Sequence, residues 1–167
     1  MNATIRRVRP GDEGTLAHIQ SESWKAAFAG IISAETLAQH TDVERLTAMY
    51  RRLLDVGKGN GYLLSVADRP HGIAFWDAAR DAELAGAAEL ICIHSLPDNW
   101  RRGYGSCMMD RVLKDMRAAG YGRAVLWVFR DNLRARAFYE AKGFSLTDMA
   151  KPAFGAEIGR ASCRERV

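Results

Sequence analysis

Residues 99–107, Asn-Trp-Arg-Arg-Gly-Tyr-Gly-Ser-Cys, place two arginines and two closely spaced glycines at the mouth of a helical pattern. Chemically this is an anion site. The first amides of a helix have no intrahelical partner, and the helix dipole adds partial positive charge there. Gly103 and Gly105 let the backbone pass close to a diphosphate, while Arg101 and Arg102 supply charge from the rim. The spacing matches neither G-x-G-x-x-G nor the nucleotide loop with a Lys after its last Gly. On these residues alone, a basic surface turn remains an alternative. Nearby segments carry the titratable side chains Glu89, His94 and Tyr139, of which His94 has an ordinary pKa near neutrality. Cys107 would need a neighbouring His to act as a nucleophile, and spacing does not establish one. The four His are isolated and form no H-E-x-x-H, so no metal site is expected.

These residues must be positioned by alternating strands and helices. Thr-Ile-Arg-Arg-Val from Thr4 to Val8 predicts a first strand stopped by Pro10-Gly11. Leu16, Ile19, Trp24, Ala27 and Phe28 fall near helical spacing, ending around Gly30. Thr41 and Glu44 predict a capping box opening a helix that buries Leu46, Met49, Tyr50, Leu53 and Leu54 and stops at Gly57. Two strands follow, joined at Arg69-Pro70, and a third ends before Pro97. After the glycine pair, Met108, Met109, Val112, Leu113 and Met116 predict a buried helical stripe, with the methionines as core filler. Ala124–Phe129 has the apolar character of a mid-sheet strand. A second helix, with Ala135, Phe138 and Tyr139 inward, closes at Gly143, and Phe144–Met149 predicts one more strand. The alternation is that of an α/β domain.

Composition excludes several classes of function. At 167 residues and 48% apolar, the chain suffices for one packed core, and no run of 18 apolar residues predicts a membrane span. Cys92, Cys107 and Cys163 match no zinc pattern. A soluble, reduced, cytoplasmic protein is expected. The net charge of +4 is scattered over clusters such as Arg101/Arg102 and Arg130/Arg134/Arg136, with no aromatic-interleaved basic ribbon, so nucleic acid is not the expected partner.

From Ile5 to about Met149 the chain resembles the GCN5-related N-acetyltransferase (GNAT) family. Three segments carry the likeness: Glu-Leu-Ile-Cys-Ile (89–93) running into the glycine loop; Leu126–Phe144 with Asn132, Ala135, Phe138, Tyr139 and Gly143-Phe144 in order; and Ser23–Gly30. The resemblance implies a GNAT-like mixed central sheet with a splayed strand pair, flanked by helices. It implies transfer of acetyl from acetyl-CoA to the primary amine of a small metabolite or amino-acid-like acceptor. The alternatives are a protein N-terminal or lysine acetyltransferase, and a non-catalytic acyl-CoA-binding module.

The same resemblance assigns roles. Arg101, Arg102, Gly103, Tyr104, Gly105 and Ser106 bind the cofactor diphosphate, and Ile91 and Ile93 of the splayed strand offer backbone contacts to the thioester carbonyl and the pantetheine arm. Asn132 ties the cofactor or the splayed strand in place, with a helix cap as its alternative use. Tyr139 is the general acid and Glu89 the base, acting through water, with His94 as rival. Trp24, Phe28 and Trp76 line the acceptor pocket or belong to the core. Three places before Gly103, where the family usually has Gln or Arg, stands Trp100. A homodimer is compatible with the family's habit of pairing through its last strand.

Residues 157–167, Glu-Ile-Gly-Arg-Ala-Ser-Cys-Arg-Glu-Arg-Val, resemble the translation of a short-read sequencing adapter. The expectation is a single acyltransferase domain over 1–157 and a non-native tail over 158–167, with the native final strand missing or replaced. Without that tail the net charge falls from +4 to +2.

Overall fold

The computed structural model describes residues 2–154 and 156–164. Seven strands form one sheet: β1 (Ala3–Arg7), β2 (Asn60–Val66), β3 (Arg69–Ala78), β4 (Ala88–Ser95), β5 (Ala124–Phe129), β6 (Ser145–Ala153) and β7 (Ala156–Arg164). Their spatial order is β1-β2-β3-β4-β5-β7-β6. Every neighbouring pair is antiparallel except β4 and β5, which run parallel. Five helices complete the fold: α1 (Glu13–Ala27), α2 (Ala34–His40), α3 (Val43–Val56), α4 (Tyr104–Ala118) and α5 (Leu133–Ala141).

The strands β2 and β3 are apolar on both faces because each face is covered by helices. Tyr62, Leu64, Ala74 and Trp76 pack with the α4 stripe Met108, Met109, Val112, Leu113 and Met116, together with Leu90 and Leu126. The alternate residues Leu63, Ile73 and Phe75 meet Leu16 and Ile19 of α1 and Leu46 and Tyr50 of α3. Period-two alternation therefore sends one strand into two cores, and a one-residue slip would exchange them. Trp76, expected at the acceptor pocket or in the core, lies in the core and donates its indole N–H to the Tyr62 hydroxyl at 2.9 Å.

Three local expectations are corrected. The cap of α3 is Asp42, whose Oδ1 accepts from the Arg45 amide at 2.8 Å. Thr41 instead closes α2 and donates its hydroxyl to the Leu37 carbonyl. Of the five residues expected to be buried by α3, Leu46 and Tyr50 are, while Met49 is exposed. The β2–β3 turn falls on Ala67-Asp68, both at positive φ, and Arg69-Pro70 already belong to β3. The helix α2 itself has no counterpart in the sequence reading: it is short, buries none of its residues and is announced only by its Ser33 cap.

At the far side of the sheet, β7 fills the position between β5 and β6, where the sequence reading expected the native final strand to be missing or replaced. Residues 158–164 of β7 belong to the adapter-like stretch, while residues 165–167 lie outside the described residues. The Arg164 guanidinium reaches the Lys142 carbonyl at the end of α5.

Candidate active site

The strand β4 begins as an ordinary partner of β5, pairing Ala88 with Ala124, Glu89 with Val125 and Leu90 with Leu126. There the pairing ends. On the other side, β3 matches Trp76 to Leu90 but Phe75 to Cys92, so Ile91 is the extra residue of a bulge. Beyond it, β4 and β5 part, and the β4 edge that faces β5 is left without a ladder partner over Ile93–Ser95. A cavity of about 570 Å³ opens here, lined by Ile93, His94 and Ser95 of β4 and Ala135, Phe138 and Tyr139 of α5.

The glycine loop forms the other end of this cavity. After β4 the chain makes a single turn at Pro97–Asn99, Arg101 adopts φ 63° and Gly103 φ 84°. Gly103 is the N-cap of α4 and brings no side-chain acceptor. The opening amides of α4 are therefore uncapped, and Gly103, Tyr104, Gly105 and Ser106 all line the cavity. A methyl group at Gly105 would meet only the Phe138 ring, at an ordinary 3.6 Å. Packing within the protein does not demand glycine at that position.

Tyr139 faces the same cavity from α5. Burial raises its phenol pKa, partly offset by Arg134. Its hydroxyl has no hydrogen-bond partner among the described residues, while its ring is held edge-on by Phe144, 6.1 Å away, and tilted against Phe138. The phenol is thus protonated at neutral pH and available to an occupant of the cavity.

On the opposite face of β4 stands an aromatic cluster. Trp24 lies 4.9 Å from Phe28 and 5.2 Å from Phe154, and Phe28 lies 5.0 Å from Phe129, all edge-on. The indole N–H of Trp24 donates to His94 Nε2 at 3.2 Å. Burial pushes the His94 imidazole down to about 4, so at neutral pH it is uncharged with its proton on Nδ1.

This arrangement has relatives. Residues 43–144 match the model of the Acetyltransferase (GNAT) family. The chain belongs to the GNAT family. A spermidine N(1)-acetyltransferase of Thermoplasma acidophilum is 26% identical over 157 residues, covering 89% of this chain and 91% of that protein. Among solved structures, the PaiA N-acetyltransferase of Thermoplasma acidophilum in complex with coenzyme A is similar with a TM-score of 0.80 at 22% identity, covering 99% of each chain. A GNAT protein of Rhodopseudomonas palustris is similar with a TM-score of 0.79 at 17% identity, over 99% of this chain and 96% of that one.

Within this GNAT fold, the structure brings together Ile93, Arg101, Gly103, Tyr104, Gly105, Ser106 and Tyr139 on one cavity. Other expected residues are placed elsewhere. Arg102 is exposed and off the cavity wall, and Ile91 sits in the bulge, 41% exposed. Asn132 does not line the cavity either; its amide oxygen accepts from the Ala135 N–H at 3.2 Å and caps α5. Glu89 is buried beside β5 and clasped by Arg80. The guanidinium reaches both carboxylate oxygens, with Nη2 to Oε2 at 2.5 Å, and the Arg80 amide donates to Oε1.

Three cavity residues escaped the sequence reading. His71 of β3 is buried and faces Asn99 across 3.5 Å and the Tyr104 ring at 5.3 Å. Trp100 was noted only as a departure, and Arg134 only as part of a basic cluster; both line the cavity. The one sequence signal for Arg134 was its place in the first turn of α5, two residues after Asn132. For His71 there was none, because its neighbours come from another segment.

Proposed function

We propose that this chain transfers an acetyl group from acetyl-CoA directly to the primary amine of a small metabolite. The observation that carries the proposal is one continuous cavity, which runs from the uncapped N-terminus of α4, along the unpaired stretch of β4, to the free hydroxyl of Tyr139. Its parts fit the cofactor. Backbone amides of Gly103–Ser106 and the Arg101 guanidinium suit a diphosphate. The unpaired edge of β4 over Ile93–Ser95 suits the amide-bearing pantetheine arm.

Acetyl-CoA supplies an activated acyl group and a thiolate leaving group. The protein supplies position and charge. Backbone N–H groups of β4 beyond the bulge hold the carbonyl oxygen as negative charge develops on it. Tyr139 donates its phenolic proton to the departing sulfur and is the catalytic residue of the proposal. The acceptor amine must first lose a proton. His94 has its Nε2 lone pair engaged by Trp24, and Glu89 has both oxygens engaged by Arg80. We therefore give Glu89, expected as base through water, an anchoring role on β4, and let solvent take the amine proton.

The acceptor enters from the face bearing Trp24, Phe28, His40, Phe129 and Phe154. Aromatic faces attract an ammonium group by several tenths to about 2 kcal/mol, which suits a small cationic amine. The similarity to a spermidine N(1)-acetyltransferase points the same way.

The test is a turnover assay with acetyl-CoA, following thiol release over a panel of diamines, polyamines, amino acids and N-terminal peptides. Release with small amines and not with peptides is the expected result. Peptide-only turnover would replace the substrate class, and tight CoA binding without turnover of any amine would make the chain a binding module.

A further inference from the structure

Trp100 occupies the loop position where the family resemblance implies Gln or Arg. The structure shows what its indole does instead. Nε1–H donates to the Ser95 carbonyl at 3.1 Å, fixing the ring against the end of β4. Over the face of that ring lies the guanidinium of Arg134, its carbon 3.5 Å from the ring centroid. The two residues come from opposite sides of the cavity, Trp100 from the loop and Arg134 from the first turn of α5.

Arg134 has no carboxylate partner among the described residues, whereas Arg6, Arg7, Arg51, Arg80 and Arg111 each pair with one. Its charged neighbours are wrong for a structural role. Partial burial disfavours its charge, the guanidinium of Arg101 repels it, and the Tyr139 phenol that it faces is protonated at neutral pH. An indole face offsets part of that cost but does not neutralise the cation. Two guanidinium groups and an uncapped helix start thus converge on one cavity with no anion of the protein's own. A planar guanidinium matches a phosphate through paired N–H bonds, and stacking on an aromatic face leaves that edge free.

We infer that Arg134, held on Trp100, is a phosphate-binding residue for the acyl-CoA cofactor, reaching it from α5 on the side of the cavity opposite the glycine loop. The inference rests on the proposed acetyl-CoA site and deepens it. Two phosphate groups of CoA share the chemistry required, the diphosphate and the 3′-phosphate.

The experiment is calorimetric titration of the full chain with CoA and with 3′-dephospho-CoA, for the wild type, Arg134→Ala, Arg134→Lys, Trp100→Leu and the double variant. Thermal melts of each protein confirm that it is folded. Arg134→Ala is expected to weaken CoA about 10–100-fold, in line with loss of a charge-assisted contact, with kcat at saturating acetyl-CoA little changed. Arg134→Lys should recover only part of that loss. The double variant should bind no worse than the weaker single variant, because the two side chains act as one unit. A loss that persists with dephospho-CoA assigns Arg134 to the diphosphate; a loss that vanishes assigns it to the 3′-phosphate. Wild-type binding with unchanged affinity in Arg134→Ala would overturn the inference and leave the acetyl-CoA site standing. No binding by folded wild type would overturn both. If Trp100→Leu unfolds, the Arg134 variants, altered at an exposed helix position, still decide the outcome.

Discussion

Trp24 and His94, one on α1 and the other on β4, are joined by an indole N–H donated to the imidazole Nε2 at 3.2 Å. This bond is satisfied only while His94 is neutral. In the unfolded chain the imidazole titrates near 6.5, and in the fold near 4. Between those values the unfolded state binds more protons, so stability falls as pH drops from about 6.5 to 4. The expected loss is on the order of 2–3 kcal/mol across that window. Denaturant midpoints of wild type and His94→Gln at pH 7, 5.5 and 4.5 measure it. The pH slope should flatten in the variant, and equal slopes would reject the buried, neutral imidazole.

Tyr139→Phe removes the hydroxyl and leaves the ring between Phe138 and Phe144. Loss of a general acid costs roughly 10²–10⁴ in rate. We expect kcat to fall by about that factor while calorimetric CoA affinity stays within about twofold, because a missing proton donor affects only the chemical step. A fall in affinity with unchanged kcat would make Tyr139 a binding residue.

The Arg80–Glu89 clasp separates an anchor from a base. Arg80→Ala strands a buried carboxylate, which should cost roughly 2 kcal/mol, below the 3–5 kcal/mol of fully enclosed pairs because Arg80 is itself largely exposed. Glu89→Gln should shift the thermal midpoint while leaving the shape of the kcat/KM profile against pH intact. Disappearance of the acidic limb in Glu89→Gln, with stability retained, would return Glu89 to the role of base.

Asn132→Ala tests the cap of α5. Caps of this type contribute about 1 kcal/mol, and the expected outcome is a thermal midpoint a few degrees lower with KM for acetyl-CoA unchanged. A rise in KM without destabilisation would instead mean that Asn132 contacts the cofactor.

Much of the scaffold could be read from spacing. The stripe from Met108 to Met116 is buried as its period implies, and Gly57 ends α3 in the left-handed conformation. What spacing missed were features without a local code. Ala67 and Asp68 turn a hairpin with no Asn-Gly signal, and α2 has no buried stripe to announce it. The site divides the same way. Gly103, Gly105 and Tyr139 carried signals within their own segments and meet at one cavity. The partners that decide chemistry, Arg80 on Glu89, Trp24 on His94 and Trp100 under Arg134, lie 9, 70 and 34 residues apart and meet only in three dimensions.

The parting of β4 from β5 has a mechanical meaning. Among the described residues, the ladder between the four-strand half of the sheet and the three-strand half has three rungs, from Ala88–Ala124 to Leu90–Leu126. In a strained plate this would be a notch, the place where a crack starts and where a wedge meets least resistance. Under the proposed function, a long, amide-bearing guest lying in the notch would supply missing rungs and stitch the two halves together. Each catalytic cycle would then stiffen the sheet on loading and loosen it on release.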